Sequence, residues 1–254
     1  MRVKDKIAMI TGAGTGIGQA TAVLLAEEGA YIIACGRRQS QLEETIKLVE
    51  AAGGKGIACA MDARSQADVE KGVARAIEEY GRIDILFNNA GVGYSAPYFM
   101  GSVKDTPIQD WKEVISINVE SVFLCSKYVI PYMIKQGGGA ILNCSSINGV
   151  IGCGADSYSA SKGAIIALTR AMAVDNAKHN IRVNCVSPGA TITPMIEPAL
   201  EEDKGFWEYW SNVAPIKRMA DSREVAYAAL FLVSDESAYI TGQNLMVDGG
   251  LTIS

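Results

Sequence analysis

The sequence contains few residues of the kinds that metal centres and hydrolytic triads require. His179 is its only histidine, no two of its six cysteines form a C-x-x-C pair, and no G-x-S-x-G motif occurs. His179 follows a predicted helix, whose carboxyl end favours a cation, and we assign it no catalytic role. We therefore expect no metal site of the His/Cys type and no serine hydrolase.

The sequence also lacks the features of secreted, membrane and nucleic-acid-binding proteins. Its beginning, "MRVKDKIAMITGAG", has no long apolar core, and no uninterrupted apolar stretch is long enough to span a bilayer. The net charge is −5 without a basic patch, so neither nucleic acid nor a membrane is an expected partner. The cysteines lie mostly in apolar runs, which favours buried, reduced thiols in a cytoplasmic protein over a disulfide framework; they are Cys35, Cys59, Cys125, Cys144, Cys153 and Cys185.

Short apolar runs alternate with longer amphipathic segments along the 254 residues. The runs lack period-2 alternation, as expected for strands of a parallel sheet that is buried on both faces. We predict strands at Lys6–Ile10, Tyr31–Cys35, Gly56–Met61, Ile83–Asn88, Ala140–Ser145, Ile181–Ser187 and Asn244–Asp248. We predict helices near Ile17–Glu28, Gln41–Ala52, Gln66–Tyr80, Asp110–Lys135, Ser157–Lys178 and Arg223–Ser234. This order predicts an α/β fold, a single Rossmann-like, doubly wound domain over residues 1–254 with a central parallel seven-stranded sheet flanked by helices.

The turn after the first predicted strand is rich in glycine. Gly12, Gly14, Gly16 and Gly18 form a T-G-x-x-x-G-x-G pattern, with Ile17 where a G-x-G-x-x-G motif would place its third glycine. Glycine lets backbone N–H groups approach an anion, and the N-terminus of the following helix adds partial positive charge. A merely flexible turn is the alternative, but the position after the first strand of a βαβ run favours a pyrophosphate site.

The end of the second strand carries the signal for the choice of cofactor. In dinucleotide-binding folds an acidic residue there binds the ribose 2′-hydroxyl of NAD, whereas an arginine accommodates the 2′-phosphate of NADP. Gly36 occupies the acidic position, and Arg37 and Arg38 follow it. We therefore expect a preference for NADP(H), with NAD(H) accepted equally if both arginines are only solvated. Asp62, after the third strand, is expected either to contact the adenine region or to cap a surface helix.

Tyr158 and Lys162 lie four residues apart in an otherwise apolar predicted helix, so they share one face. A free phenol, with a pKa of roughly 10, is a poor base at neutral pH, but a fixed ammonium nearby favours the phenolate. The pair is therefore a candidate proton donor and acceptor. On spacing alone, a buried tyrosine beside a lysine that reaches solvent is the stronger interpretation.

Seven motifs that occur in order resemble those of a short-chain dehydrogenase/reductase over nearly the whole chain. They are "TGAGTGIG" (Thr11–Gly18), "NNAG" (Asn88–Gly91), "ISIN" ending at Asn118, "NCSS" (Asn143–Ser146), "YSASK" (Tyr158–Lys162), "NCVSPG" (Asn184–Gly189) and "ITGQNLMVDGG" (Ile240–Gly250). The resemblance implies an oxidoreductase that transfers a hydride between nicotinamide and a secondary alcohol or ketone. It also implies a homotetramer in which the two long helices, Asp110–Lys135 and Ser157–Lys178, form one interface.

The resemblance implies a role for each matched polar residue. Tyr158 is the general acid/base, Lys162 favours its phenolate and hydrogen-bonds the nicotinamide ribose, and Asn118 holds a proton-relay water through its backbone. The serine that polarises the substrate oxygen is expected in an S-x-x-G pattern, which Ser146 fits in "SING". Ser146 lies 12 residues before Tyr158, one fewer than usual, whereas Ser145 restores the spacing. We favour Ser146, because the loop "GCGAD" loses a residue more easily than the strand end does.

The same resemblance implies the cofactor-binding residues. Asn89 and Gly91 line the adenosine side, Pro188, Gly189 and Thr193 lie beside the nicotinamide, and Ile192 lies near its carboxamide. The complete predicted set is Gly12, Thr15, Gly16, Ile17, Gly18, Arg37, Arg38, Asp62, Ala63, Asn89, Ala90, Gly91, Tyr158, Lys162, Pro188, Gly189, Ile192 and Thr193.

Residues 193–220, which we call the lid, occupy the position of the family's substrate-covering segment. Their aromatic residues are expected to cover a flat apolar substrate or to pack within the protein; they are Phe206, Trp207, Tyr209 and Trp210. Their acidic residues disfavour acyl-carrier proteins and coenzyme A thioesters; they are Glu197, Glu201, Glu202, Asp203 and Glu208. We therefore expect a neutral or amphipathic cyclic alcohol or ketone, such as a hydroxysteroid. The alternatives are a 3-oxoacyl thioester reductase, a polyol or sugar dehydrogenase, and a non-catalytic nicotinamide-binding sensor.

Overall fold

The computed structural model describes residues 1–94, 97–196 and 204–254. Its strands are β1 (Ile7–Thr11), β2 (Tyr31–Gly36), β3 (Lys55–Ala60), β4 (Ile85–Asn88), β5 (Gly139–Cys144), β6 (Ile181–Pro188), β7 (Thr191–Ile192), β8 (Ala220–Asp221) and β9 (Asn244–Val247). The main sheet has the order β3-β2-β1-β4-β5-β6-β9, and each neighbouring pair is parallel. This confirms the predicted seven-stranded Rossmann-like architecture. The division into one domain with a lid stays a prediction.

Helices cover both faces of this sheet. They are α1 (Gly16–Glu27), α2 (Gln39–Ala51), α3 (Gln66–Tyr80), α4 (Ile108–Ile115), α5 (Ser121–Gln136), α6 (Asp156–Asn176), α7 (Lys204–Val213) and α8 (Ser222–Val233). Successive side chains of a strand point to opposite faces, so in β1 Ala8 and Ile10 join the core with α1, α2 and α8. Ile7 and Met9 join the core with α3, α5 and α6. Burial on both faces is why the strand sequences are apolar throughout.

The strand order reverses beside β1, and that reversal positions the site. From β1 the chain proceeds outward to β2 and β3, then returns to β4 on the other side of β1. The connections that leave β1 and β4 therefore diverge, and a crevice opens at the carboxyl ends of these strands. The glycine-rich turn after β1 and the segment after β4 form its walls.

The predicted helix Asp110–Lys135 is not a regular α-helix. A π-helical turn, Ser116–Glu120, separates α4 from α5, and the whole helical run extends over Ile108–Gln136. By length and composition alone this run of 29 residues is long and apolar enough to cross a membrane. The sequence does not predict it, because polar residues interrupt its apolar ones. Core helices meet the same criterion, and here Cys125, Val129 and Met133 pack into the core beneath the sheet.

The six cysteines are free thiols. Five of them are buried, as predicted, whereas Cys153 is only half-buried because it lies in the loop before α6. Apolar surroundings explain why burial raises the pKa of the Cys125 and Cys185 thiols to about 12. These thiols are therefore protonated and unreactive at neutral pH.

Candidate active site

The glycine-rich turn closely approaches the segment after β4. Gly12 has a φ of +64°, and a side chain there would place Cβ 2.9 Å from the Cα of Ala90. Gly16 also has a positive φ, of +56°. Thr15, the N-cap residue of α1, makes no side-chain cap hydrogen bond, so its hydroxyl does not occupy the donors of the first turn. A narrow glycine cradle that ends at an uncapped helix N-terminus fits a pyrophosphate.

Gly18 lies beneath this turn rather than on its surface. A Cβ at Gly18 would lie 2.3 Å from the carbonyl oxygen of Gly12 and 2.5 Å from Nδ2 of Asn89. Gly18 is absent from the cleft wall, which includes Gly12, Thr15, Gly16 and Ile17. Gly18 therefore supports the turn from behind, and its contact with the cofactor stays a prediction. Its glycine lets α1 pack against the turn.

Asn89 holds the two cleft walls together. Its Nδ2 donates to the carbonyl oxygens of Thr11, at 3.1 Å, and Gly12, at 3.2 Å. The Thr11 hydroxyl accepts hydrogen bonds from the backbone N–H groups of Asn89 and Ala90, each at 3.0 Å. Asn89, Ala90 and Gly91 all line the cleft, as predicted.

Two unpaired arginines border the far end of the cleft. Arg37 and Arg38 are exposed, line the cleft and have no ion pair or side-chain hydrogen bond among the described residues. An exposed guanidinium without a carboxylate partner is free to meet a phosphate. The two guanidinium groups thus lie at the end of the cleft where the sequence predicts the ribose 2′-phosphate of NADP.

Asp62 and Ala63 also line this end, but Asp62 already has a partner. Its carboxylate accepts hydrogen bonds from the Arg64 side chain, at 2.7 Å, and from the Arg64 backbone N–H, at 3.0 Å. The Arg64 guanidinium therefore lowers the pKa of the Asp62 carboxyl. The alternative that Asp62 caps a helix is wrong, because Ser65 caps α3 by accepting from the Asp68 N–H. Arg64, which sequence reasoning missed, is a third cation on the wall.

Tyr158 and Lys162 are both buried in the first turns of α6. Lys162 Nζ lies 5.5 Å from the centroid of the Tyr158 ring and donates to the carbonyl oxygen of Cys144 at 2.9 Å. An ammonium has three donors, and this is the only hydrogen bond of Nζ among the described residues. The Tyr158 hydroxyl has no hydrogen-bond partner among the residues that the structure describes. Both groups line a second pocket beside the cleft, which residues 144–148 and parts of the segment 188–196 form together with Tyr94 and Trp210. This position contradicts the interpretation of a lysine that merely reaches solvent.

Asn118 lies in the π-helical turn and is fully buried. Its Nδ2 donates to the Val92 carbonyl oxygen at 3.1 Å and to Ser161 Oγ at 3.0 Å, and its Oδ1 accepts from the Val92 N–H at 2.8 Å. The side chain thus joins the segment after β4 to α6, and it does not line either pocket. The side-chain polar atoms of Asn118 are therefore engaged, and a proton relay through its backbone stays a prediction.

The two candidate serines have different partners, although both line the second pocket. Ser145 Oγ donates to the carbonyl oxygen of Lys162 at 2.8 Å, so its hydrogen is already used. Ser146 Oγ makes only long contacts, at 3.4 Å to Asn148 Oδ1 and 3.3 Å from the Asn148 N–H. Ser146 is therefore the serine whose hydroxyl can turn to a substrate at little cost.

The strand end after β6 supplies one wall between the two pockets. Pro188 and Gly189 line the second pocket, and Thr193 lines both pockets. Ile192 is 41% exposed and lines neither pocket. The positions of these four residues beside the nicotinamide and its carboxamide stay predictions. Thr191 and Ile192 form β7, whose side chains alternate, and the buried Thr191 takes the inward position.

Sequence reasoning missed two residues beside the reactive tyrosine. Tyr94, after β4, has its ring centroid 5.7 Å from that of Tyr158, and Asn148 Nδ2 donates to its hydroxyl at 2.9 Å. Both line the second pocket with apolar neighbours that include Ile147 and Met195. Asn148 lies within the quoted "SING", but no sequence pattern signals its contact with Tyr94, 54 residues away.

Only part of the lid can be compared with the prediction. Four of its acidic residues, Glu197, Glu201, Glu202 and Asp203, lie outside the described residues, as does the side chain of Phe206. Trp207 and Tyr209 are exposed, and Tyr209 meets Trp210 edge-on with ring centroids 5.3 Å apart. Trp210 lines the second pocket.

Comparison with known proteins agrees with this geometry. A family model described as enoyl-(acyl carrier protein) reductase matches residues 12–252. The chain is 40% identical over 254 residues to 3-oxoacyl-[acyl-carrier-protein] reductase FabG of Thermotoga maritima, with 100% of both chains covered. It is 38% identical over 252 residues to cyclopentanol dehydrogenase of Comamonas sp., covering 99% of this chain and 98% of the relative. A solved 7α-hydroxysteroid dehydrogenase, complexed with NADH and 7-oxo glycochenodeoxycholic acid, superimposes with a TM-score of 0.89 at 35% identity, covering 98% and 95% of the two chains.

A doubly wound sheet, a glycine-lined cleft at its switch point and a Tyr–Lys pair at the end of that cleft define a dinucleotide-dependent oxidoreductase. The chain belongs to the short-chain dehydrogenase/reductase family, whose members bind NAD(P)(H) and which includes enzymes that act on alcohols and ketones.

Proposed function

We propose that the protein interconverts a secondary alcohol and a ketone with NADP(H). The observation that carries this proposal is that Tyr158, Lys162 and Ser146 converge where the two pockets meet. Gly91 and Thr193, among others, line both pockets, so a group held in the glycine-lined cleft extends to the Tyr158 pocket. When bound there, the nicotinamide supplies or accepts the hydride.

The protein's own residues handle the proton and the substrate oxygen. Tyr158 donates its hydroxyl proton to the oxygen of the ketone, or takes it from the alcohol in the reverse direction. Ser146 Oγ donates a second hydrogen bond to the same oxygen. Lys162 Nζ has two donors beyond its bond to the Cys144 carbonyl oxygen, and these would hold the nicotinamide ribose and a relay water. The backbone of Asn118 holds that water in the π-helical turn.

The preference for NADP(H) rests on Arg37 and Arg38. Both are without a described partner at the adenosine end of the cleft, and no acidic residue occupies the position of Gly36. An acid there would repel a 2′-phosphate, whereas a guanidinium binds it. NAD(H) remains the second cofactor in this proposal, because the solved relative holds NADH.

The substrate class that fits best is a neutral or amphipathic cyclic alcohol or ketone. Apolar residues form much of the pocket that contains Tyr158 and include Ile147, Pro188, Ile196 and Trp210. Such a pocket suits a ring, and the relatives include a cyclopentanol dehydrogenase and a hydroxysteroid dehydrogenase. A 3-oxoacyl thioester is the second candidate, which the match to the Thermotoga reductase over 100% of both chains supports.

We also place the protein in the cytoplasm as a homotetramer. Six free thiols agree with a reducing compartment. On the outer faces of α5 and α6, Phe123 is 52% exposed and Val174 is 79% exposed, and apolar residues of this kind suit a subunit interface.

The test combines a substrate panel with one variant. Absorbance of reduced nicotinamide would be followed with NADP(H) and NAD(H) against cyclic ketones, steroids, sugars and acyl thioesters. Tyr158→Phe keeps the ring and removes the proton donor, so turnover of the best substrate should fall at least about 100-fold, the lower end of general acid–base contributions. Unchanged turnover would contradict the mechanism, and cofactor binding without turnover of any substrate would favour the sensor.

A further inference from the structure

The substrate pocket contains a second tyrosine hydroxyl, which the proposed mechanism does not use. Tyr94 lies over the Tyr158 ring at an interplanar angle of 56°. It is 39% exposed, so part of it remains open at the mouth of the pocket. Burial of the remainder raises the pKa of Tyr94; the hydrogen bond from Asn148 opposes this in part, and the nearby Tyr158 adds to the rise. Tyr94 is therefore a neutral hydroxyl at physiological pH.

The amide of Asn148 sets the orientation of this hydroxyl. Asn148 Nδ2 donates to Tyr94 Oη at 2.9 Å and to Ser159 Oγ at 3.4 Å. A tyrosine hydroxyl both accepts and donates, so this contact uses only its accepting side. Among the described residues no acceptor takes the Tyr94 hydrogen. That hydrogen is thus available to a molecule in the pocket.

The same amide also contacts Ser146, the residue proposed to bond the reacting oxygen. Asn148 Oδ1 contacts Ser146 Oγ at 3.4 Å, while its Nδ2 contacts Tyr94 Oη. The hydroxyl groups of Ser146 and Tyr94 therefore stand on either side of one amide group. The hydrogen-bond chain Ser146–Asn148–Tyr94 therefore places a second hydroxyl donor near the group that bonds the reacting oxygen.

We propose that Tyr94 and Asn148 form a second oxygen site, and that the substrate carries an oxygen on the carbon next to the reacting one, as in a vicinal diol or an α-hydroxy ketone. This inference rests on the proposed function. The site offers a neutral donor and an amide, which suit a hydroxyl or a carbonyl rather than a carboxylate or phosphate. The apolar residues around it, Ile147 and Met195 among them, provide no other partner for such an oxygen.

The experiment compares cyclohexanol with 1,2-cyclohexanediol, using NADP+ and wild-type protein, Tyr94→Phe and Tyr239→Phe. A site built to bond a hydroxyl discriminates against an analogue that lacks it, so wild-type kcat/KM should favour the diol by at least about tenfold. Tyr94→Phe keeps the ring against Tyr158 and loses the hydroxyl, so the diol-to-alcohol ratio should fall about tenfold, the effect of one hydrogen bond. Tyr239 is fully exposed, and its variant should leave the ratio unchanged.

The possible results are distinct. A wild-type ratio near one, with clear turnover of cyclohexanol, overturns the second oxygen site and leaves the proposed function standing. Equal losses on both substrates in Tyr94→Phe also overturn it, because the hydroxyl then only braces the pocket. Turnover of a 3-oxoacyl thioester with neither cyclic substrate accepted overturns the second oxygen site and the cyclic substrate class, and leaves the alcohol–ketone reaction standing. No turnover of any substrate with either cofactor overturns the proposed function. If Tyr94→Phe does not fold, the wild-type ratio alone decides.

Discussion

At the scale of single residues, Ser145 and Ser146 are chemically identical and one peptide apart, yet their hydrogen bonds assign them different work. Ser145 Oγ is engaged by the Lys162 carbonyl oxygen at 2.8 Å, whereas Ser146 Oγ has only long contacts. Ser146→Ala should lower kcat by about 100- to 1,000-fold, as loss of a donor to a reacting oxygen does elsewhere. Ser145→Ala should instead lower the free energy of unfolding by about 1 kcal/mol, the worth of one buried hydrogen bond.

Steady-state kinetics and urea unfolding of both variants separate these roles. The two substitutions remove the same atom at neighbouring positions, so each variant is the control for the other. Ser146→Ala with full activity beside an inactive, well-folded Ser145→Ala would reverse the assignment.

Arg37 tests the choice of cofactor at the same scale. Its guanidinium makes no hydrogen bond or close ion pair among the described residues and interacts with Asp62 only at longer range. Arg37→Ala should lower kcat/KM for NADPH about tenfold, because a hydrogen bond to a charged group contributes about 1.5–3 kcal/mol, and should leave NADH nearly unaffected. Lys71→Ala, which removes an exposed cation from α3, is the matched control. Equal effects on both cofactors would show that Arg37 does not bind the 2′-phosphate.

At the scale of elements, the start of α1 depends on one glycine that does not face the cleft. In Gly18→Ala the new Cβ would lie 2.3 Å from a backbone oxygen of Gly12, so α1 and the turn must separate. Overpacking of this kind costs about 1–3 kcal/mol, and the shifted turn should also weaken binding of NADPH. Thermal unfolding and cofactor titration measure the two effects.

A second helical glycine provides the control for this prediction. In Gly163→Ala the new Cβ would meet its nearest neighbour at 3.7 Å, an ordinary contact, within α6. Alanine favours a helix over glycine by about 1 kcal/mol, so this variant should be slightly more stable than wild type. If both variants had equal stability, close packing at Gly18 would not be the reason for its glycine.

Sequence patterns predicted the regular elements well and the irregular ones poorly. Continuous apolar runs located each main strand to within two residues, because burial on both faces acts on every residue of a strand. The π-helical turn escaped prediction because Asn118 is held there by Val92 and Ser161, which are distant in the sequence. The inward position of Thr191 beside the exposed Ile192 could not be predicted, because a two-residue strand is too short for its alternation to show in the sequence.

The residues of the site also fall into a group that the sequence predicts and a group that it does not. Tyr158, Lys162 and the glycine turn were predictable because motifs place them within a few residues of each other. Tyr94 and Asn148 meet only through the tertiary fold, at a separation of 54 residues. Side chains that determine the substrate are therefore the part of the site that required the structure.

At the scale of the whole molecule, the helical run Ile108–Gln136 presents apolar side chains on two sides. One side packs beneath the sheet through Val129 and Met133, and the other exposes Phe123 and Ile134, by 52% and 40%. A membrane or a second copy of the chain would cover that outer side. On α6, the second helix of the predicted interface, Val174 is also exposed, which favours association between copies.

The family resemblance implies four chains, so light scattering without detergent should give a particle of four chains of 27.0 kDa each. The double variant Phe123→Asp/Val174→Asp should give smaller particles, since each buried apolar side chain contributes about 1.5–3 kcal/mol and a buried carboxylate adds a further cost. Leu48→Asp on α2, where the side chain is 40% exposed outside the predicted interface, is the control and should keep the wild-type mass. A wild-type protein that stays monomeric at high concentration would refute the assembly, and one that requires detergent would make a membrane the partner of this face.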